Sequence, residues 1–287
     1  MANKINNKLS LGTVQFGLNY GVTNKSGVIG IEDINKIIKL SRKNGIKNID
    51  TAPNYGDAEK KLGRLGISDF QVCSKFSKIV SQKPRIEIFE TVKKSLQDLK
   101  IDKLEELLMH HPWDLRYDQD RQIVGALNDL KEQGLVNKIG ISVYNTEEAI
   151  EFLGIFDFDL IQGPINILDQ RFLEAGFQNF LSNKNVELHA RSPFLQGLLL
   201  DQSNHNKGRF SDLSSTLLDW REWLKKHELK ALDAALSFVV AQPLIAKVVF
   251  GVSEVLEYTQ IINANYYSDL SPNFNCNNNP LLDPRKW

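Results

Sequence analysis

Ile34-Asn35-Lys36-Ile37-Ile38-Lys39-Leu40-Ser41-Arg42-Lys43-Asn44-Gly45 runs directly into Ile46-Lys47-Asn48-Ile49-Asp50-Thr51-Ala52. Ile34, Ile37, Ile38 and Ser41 recur at the three- and four-residue spacing of one helix face, and Asn44-Gly45 is the kind of pair that ends a helix. The short stretch Asn48 to Ala52 then predicts a strand. One helix feeding one strand is the unit of a parallel sheet with crossover helices.

The same alternation extends outward from this unit to both ends of the chain. Further strands are predicted at Leu9 to Phe16, Phe70 to Phe76, Leu104 to His110, Lys138 to Val143, Leu160 to Gly163, Val186 to Ser192 and Lys247 to Phe250, each followed by a segment of helical period. Asp120 to Gln133 closes at Gly134, and Asn145-Thr146-Glu147-Glu148 reads as an N-cap followed by acidic residues that suit a helix start. Eight strand–helix pairs predict an α/β fold, a single (β/α)8 barrel. No Pro/Gly/Ser-rich linker divides the chain, so residues 1–287 are expected to form one domain. A doubly wound open sheet is the competing architecture, and no G-x-G-x-x-G follows the first strand to support it.

A length of 287 residues permits one large barrel, and 42% hydrophobic with 24% charged residues is the composition of an ordinary globular protein. Lys plus Arg and Asp plus Glu are both 35, so no overall positive field draws the chain to nucleic acid or an anionic membrane. The polar start, Met1 to Lys8, has no apolar signal region, and no later run is long enough to span a bilayer; a cytoplasmic location is the expectation. Cys73 and Cys276 lack metal-ligand spacing and read as two free thiols, with no metal expected.

In a barrel the chemistry sits at the C-terminal ends of the strands. The second strand ends in Asp50-Thr51-Ala52-Pro53-Asn54-Tyr55-Gly56, the third in Cys73-Ser74-Lys75-Phe76 and the fourth in Met109-His110-His111-Pro112. Asp50, Tyr55, Lys75 and a histidine thus converge on one sector of the mouth. Hydride addition to a carbonyl leaves an alkoxide that needs a proton donor. Tyr55 can supply it, with Lys75 expected to lower the phenol's pKa, Asp50 to keep the lysine charged, and the histidine to orient the substrate oxygen. Singly, each residue reads more readily as a cap, a packing residue or an ion pair; their convergence at consecutive strand ends does not.

The motif Asp50-Thr51-Ala52-x-x-Tyr55-Gly56-x-x-Glu59-x-x-Leu62-Gly63 resembles that of the aldo-keto reductases, and the resemblance covers nearly the whole chain. It implies NAD(P)H-dependent reduction of a small-molecule aldehyde or ketone, with catalytic roles for Asp50, Tyr55 and Lys75. The family's His-x-Pro pattern selects His110, leaving His111 and Trp113 as expected substrate-pocket residues. It further implies cofactor contacts from Gly12, Thr13, Asp50, Ser142, Gln162, Arg191, Ser192, Gln196, Gly197, Gly251, Ser253 and Glu254. Val143 stands where the family usually has Asn, which removes one carboxamide hydrogen bond worth about 1 kcal/mol. Arg191 replaces the family's aromatic residue; its planar guanidinium can still stack on a ring, and an ordinary surface ion pair is the competing reading.

Between Gly251 and Asn265 there is no Lys or Arg, whereas Glu254 and Glu257 are acidic. Carboxylates accept from a ribose 2′-hydroxyl and repel a 2′-phosphate, so NADH stands beside the family's default NADPH. Arg191, Lys207, Arg209 and Lys247 are the other cations considered for the adenosine ribose. Loops after the fourth and seventh strands and the segment Tyr267 to Trp287 are expected to wall the pocket. The segments Leu11 to Gly21, Arg191 to Leu199 and Asp283 to Trp287 resemble a bacterial subgroup associated with surface-polysaccharide sugars, while the Asn-rich run Asn273 to Asn279 reads as a polar tail. Two other functions compete: a catalytically silent nicotinamide-binding regulatory subunit, and a barrel lyase using Lys75 as a Schiff-base nucleophile. Substrate identity, reaction direction and oligomeric state are not encoded legibly.

Overall fold

The computed structural model describes residues 5–203, 208–268, 270 and 274–287; Lys207 and Asn273 lie outside them. Strand β1 (Leu9–Gly12) is followed by a one-turn helix α1 (Val14–Gly17) and by α2 (Ile31–Lys43). Then come β2 (Asn48–Asp50), α3 (Ala58–Leu65), β3 (Gln71–Phe76), α4 (Pro84–Leu99), β4 (Leu104–Met109) and α5 (Gln122–Glu132). The second half holds β5 (Val136–Ser142), α6 (Thr146–Leu153), β6 (Leu160–Pro164), α7 (Ala175–Lys184), β7 (Glu187–Arg191), α8 (Ser214–Lys226), α9 (Ala231–Val240), β8 (Ile245–Phe250) and α10 (Val255–Ile262). The strands close in sequence order, every pair parallel, with β1 bonded to both β2 and β8. This is the (β/α)8 barrel.

The helix that opened the reading buries Ile34, Ile37, Ile38 and Ser41, its predicted stripe, and ends at Asn44 and a positive-φ Gly45. Asn145 caps α6 by accepting from the Glu148 amide at 2.8 Å. Among the boundaries that depart from expectation, two have a visible cause. The first strand stops at Gly12 rather than Phe16, because Thr13 turns its amide and its hydroxyl onto the Asp50 carbonyl, both at 3.0 Å, and the chain coils into α1. Helix α5 starts at Gln122, not Asp120: the chain turns at Arg121, and the Asp118 carboxylate accepts from the Ile123 and Val124 amides.

Inside the barrel, Gly140 makes room for a small apolar layer of Cys73, Leu108 and Leu160; a Cβ there would lie 2.5 Å from the Leu160 carbonyl. A charged group occupies another part of the interior: Glu106 on β4, 1% exposed, is bonded by Lys247 on β8 at 2.5 Å, with His189 on β7 beside it. Lys247 is therefore committed to Glu106 and does not serve the adenosine ribose. Cys73 is buried and Cys276 half-buried, both as free thiols. Among the described residues no helix is long and apolar enough to cross a membrane.

Gly63 on α3 faces the backbone of α4, and a Cβ at this position would collide with the Asp98 carbonyl. Alanine gains up to about 1 kcal/mol of helix propensity, but neither backbone yields easily, so the clash dominates. Gly63→Ala is expected to lower the unfolding free energy by about 1–3 kcal/mol. Urea titration should register this as a lower midpoint at unchanged slope; an unchanged or higher midpoint would contradict the packing argument.

Candidate active site

The ends of β2, β3 and β4 bring Asp50, Lys75 and His110 together. Lys75, 2% exposed, donates from Nζ to Asp50 Oδ1 at 2.5 Å and to the Thr51 carbonyl at 3.0 Å. The other carboxylate oxygen, Oδ2, accepts from Gln162 Nε2 on β6 at 2.8 Å. Tyr55 lies on the loop after β2, its ring centroid 5.4 Å from Lys75 Nζ and 6.2 Å, edge to face, from that of His110. Close backbone packing fixes this loop. Gly56 takes a φ of +60° against Gly17, and a side chain at Gly17 would collide with the Tyr55 carbonyl. Lys61 on α3 adds a 2.7 Å bond to the Phe16 carbonyl.

Burial pushes the Tyr55 phenol up to about 12; Lys75 opposes the rise, and Asp50 and Tyr20 add to it. Lys75 therefore limits the phenol's pKa without bringing it below its ordinary value, which corrects the expectation from charges alone. The lysine stays cationic: burial opposes its charge, but Asp50, Tyr55 and Cys73, with the hydrogen bond to Asp50, raise its pKa overall. Burial, reinforced by Lys75 and Arg191, lowers His110 to about 4, so its imidazole is neutral at pH 7. The mouth thus holds a protonated phenol, a buried ammonium and a neutral imidazole.

These groups open into a cavity of about 1070 Å³ that extends to the start of α10. Asp50, Tyr55 and His110 line it, as do all the expected cofactor positions: Gly12, Thr13, Ser142, Gln162, Arg191, Ser192, Gln196, Gly197, Gly251, Ser253 and Glu254. Lys75 sits behind the lining, bonded to Asp50. Several lining groups already have partners: the Thr13 hydroxyl bonds the Asp50 carbonyl and the Gln162 amide nitrogen bonds the Asp50 carboxylate. Near α10, Glu257 accepts from the Ser253 amide.

Loops from the two flanks of β8 meet at this cavity. Gln196 donates to the Tyr20 hydroxyl at 3.0 Å, and Gly197 packs so closely on Thr23 that a Cβ would collide with it. Ser192, Leu195 and Gln196 all adopt positive φ, strain concentrated in one loop.

His111 and Trp113 are not brought to the cavity. The 3-10 turn Pro112–Tyr117 folds away, with His111 bonded to Asp114 at 2.9 Å and Trp113 packed edge-on against Phe152 of α6. Asp114 pins the turn by accepting from the Ile79 amide. No described residue after Ile261 lines the cavity; Trp287 packs on Phe210, and Arg285 stacks on Tyr144 at 3.9 Å. The expectation that the β4 loop and the C-terminal segment wall the pocket is corrected, whereas the β7 loop does wall it through Leu200, Asp201 and Ser203. Sequence reasoning missed Tyr20, the Val22–Ser26 loop and Tyr144. Tyr144 follows the end of β5 and was open to discovery by the strand-end rule; Tyr20 carries no local signal.

The Aldo/keto reductase family model matches residues 8–274. The chain is 26% identical over 209 residues to the glyoxal reductase of Bacillus subtilis, covering 68% of this chain and 72% of that one. It is 30% identical over 181 residues, 54% of each chain, to the NADH-specific methylglyoxal reductase of Escherichia coli. Among solved structures, the holo form of an aldo-keto reductase from Bacillus halodurans superposes with a TM-score of 0.74 at 22% identity, covering 91% of this chain and 88% of that one. With the barrel and the whole motif in place, the chain is an oxidoreductase and belongs to the aldo/keto reductase family.

Proposed function

We propose that this enzyme reduces an aldehyde or ketone, including a sugar or nucleotide-sugar carbonyl, to the alcohol with NAD(P)H, and that Tyr55 hands its proton to the carbonyl oxygen. One observation carries the reading: a phenol that keeps its proton up to about pH 12 faces the cavity beside a buried ammonium and a neutral imidazole. All four catalytic residue types are present, which favours turnover over a silent regulatory subunit. Resemblance of three segments to the surface-polysaccharide subgroup supports a sugar carbonyl.

The lining suits a nicotinamide dinucleotide. The cavity reaches from Tyr55 to Glu254, Gly12 leaves space that a Cβ would take at 3.1 Å from the Phe250 carbonyl, and the Gln15 side-chain oxygen is buried there without a protein partner. Ser142 and Gln162 would hold the carboxamide end, Ser192, Gln196 and Gly197 the phosphates, and Gly251, Ser253 and Glu254 the adenosine. Bound there, the reduced nicotinamide supplies the hydride. Tyr55 Oη gives its proton as the carbonyl oxygen gains charge, and the Lys75 ammonium stabilises the phenolate left behind. Asp50 keeps that ammonium charged, and His110 orients the oxygen through a neutral imidazole N–H.

Tyr55→Phe is expected to lower kcat by about two to four orders of magnitude with cofactor affinity nearly unchanged. In the wild type, reduction should be level with pH across neutrality, because the acid is already protonated. Alcohol oxidation, which needs the phenolate, should rise about tenfold per pH unit below the phenol's pKa. Wild-type turnover by the Phe variant would reject the assignment.

Asp50 and Lys75 act on the phenol as one unit. Asp50→Asn and Lys75→Met should each slow the chemical step, and the double variant should cost less than the sum of the two. Strict additivity in single-turnover rates would mean independent roles.

Cofactor preference is proposed to be weak or toward NADH. Glu254 and Glu257 line the adenosine end, and Glu257 already takes the Ser253 amide that a phosphate would otherwise use. The NADH-specific relative from Escherichia coli is in keeping with this. Glu254→Lys should tighten NADPH binding by about 1.5–3 kcal/mol, read from fluorescence titration of both cofactors. A wild-type preference for NADPH of about a hundredfold, roughly 2.7 kcal/mol, would overturn the reading.

A further inference from the structure

Arg191 ends β7, and its guanidinium crosses toward β5, where Nη2 donates to the Val143 carbonyl at 3.2 Å and Cζ lies 4.3 Å from the centroid of the Tyr144 ring. Among the described residues no carboxylate pairs with it, and its Nε is buried with no acceptor. An arginine half-buried in this way normally finds a carboxylate, because an unpaired buried charge is costly. Here the direct contacts are uncharged, and the carboxylate that feels its charge, Asp169, is already taken by both Nε and Nη2 of Arg171. Tyr20, Tyr144, Tyr55 and His110 line the same cavity, and the positive charge of Arg191 acts on Tyr20, Tyr55 and His110. Hydroxyls, an imidazole and a guanidinium with spare N–H groups together make a donor-rich basin at the catalytic end of the cavity. Asp50, the carboxylate there, is already bonded by Lys75 and Gln162.

We infer that Arg191 binds an anionic group of the substrate, so that the enzyme acts on carbonyl compounds carrying a carboxylate or phosphate close to the reacting carbon. A planar, always charged guanidinium that lines the cavity beside Tyr144 and spends one Nη2 N–H on Val143 suits such a group, because carboxylates and phosphates accept from paired guanidinium donors. This rests on the carbonyl-reduction reading and adds the substrate class to it.

Calorimetry on the protein saturated with NADH or NADPH tests the inference, because the cofactor's own phosphates then already occupy their places. The probes are oxamate for a carboxylate, inorganic phosphate for a phosphate, and oxamide as the uncharged counterpart of oxamate. At least one anion should bind about tenfold or more tightly than oxamide, a margin of about 1.4 kcal/mol, and which anion does so identifies the group. Arg191→Gln should remove that margin, and Arg191→Lys, which keeps the charge, should retain most of it. Anions that bind no better than oxamide, or that bind Arg191→Gln as well as wild type, overturn the inference. Should the Gln variant fail to fold, the wild-type comparison of oxamate and phosphate with oxamide decides alone. Turnover of an uncharged aldehyde such as methylglyoxal tests the reductase reading separately, so either can fail while the other stands.

Discussion

A lysine ammonium with 2% of its surface exposed can exist in the middle of a barrel only if something compensates its lost hydration. Asp50 does so at 2.5 Å, and the Thr51 carbonyl takes a second N–H. The same carboxylate accepts from Gln162, so one side chain ties β2 to β3 and to β6 across the barrel mouth. Removing either partner would leave the other charge buried and unpaired, a loss of about 3–5 kcal/mol in comparable cases. The ion pair is thus a requirement of the fold and of the chemistry at once, and the loop bearing Tyr55 is built on it.

Much of this was legible in the sequence because the barrel is assembled from local periodicities. The stripe at Ile34, Ile37, Ile38 and Ser41 and the cap at Asn145 are short-range features, and the structure contains both. At the first strand a contact distant in sequence decided the outcome. Leu9 to Phe16 is apolar enough to pass for one strand, yet Asp50, far along the chain, turns Thr13 out of it. The motif and the strand-end rule located Asp50, Tyr55, Lys75 and His110 together. They could not reveal that Trp113 packs on Phe152 outside the cavity lining, or that Tyr20 and Tyr144 are part of that lining.

The phenol illustrates how magnitudes decide between effects that a sequence can only name. Charges alone argued for a lowered pKa at Tyr55, since a cation lies beside it. Burial acts in the opposite sense and is the larger influence, so the proton is held more firmly than in water. A tightly held proton is compatible with donation to an alkoxide, which is a far stronger base than a phenolate. The reverse reaction starts instead from the phenolate, the form that burial disfavours.

The contact between the Tyr20–Ser26 loop and the Gln196–Gly197 turn also bears on traffic. Both segments line the cavity, and they are joined by two hydrogen bonds, Gln196 Nε2 to the Tyr20 hydroxyl and the Thr23 hydroxyl to the Gln196 carbonyl, and one close van der Waals contact, a tie worth about 1–3 kcal/mol. A tie that weak opens often by thermal motion, but it must open for a long, stiff molecule to be laid into the groove, whereas a small one can enter past it. Exchange of the two kinds of ligand is therefore governed by different clocks: a hinge sets the pace for the larger, and simple diffusion for the smaller.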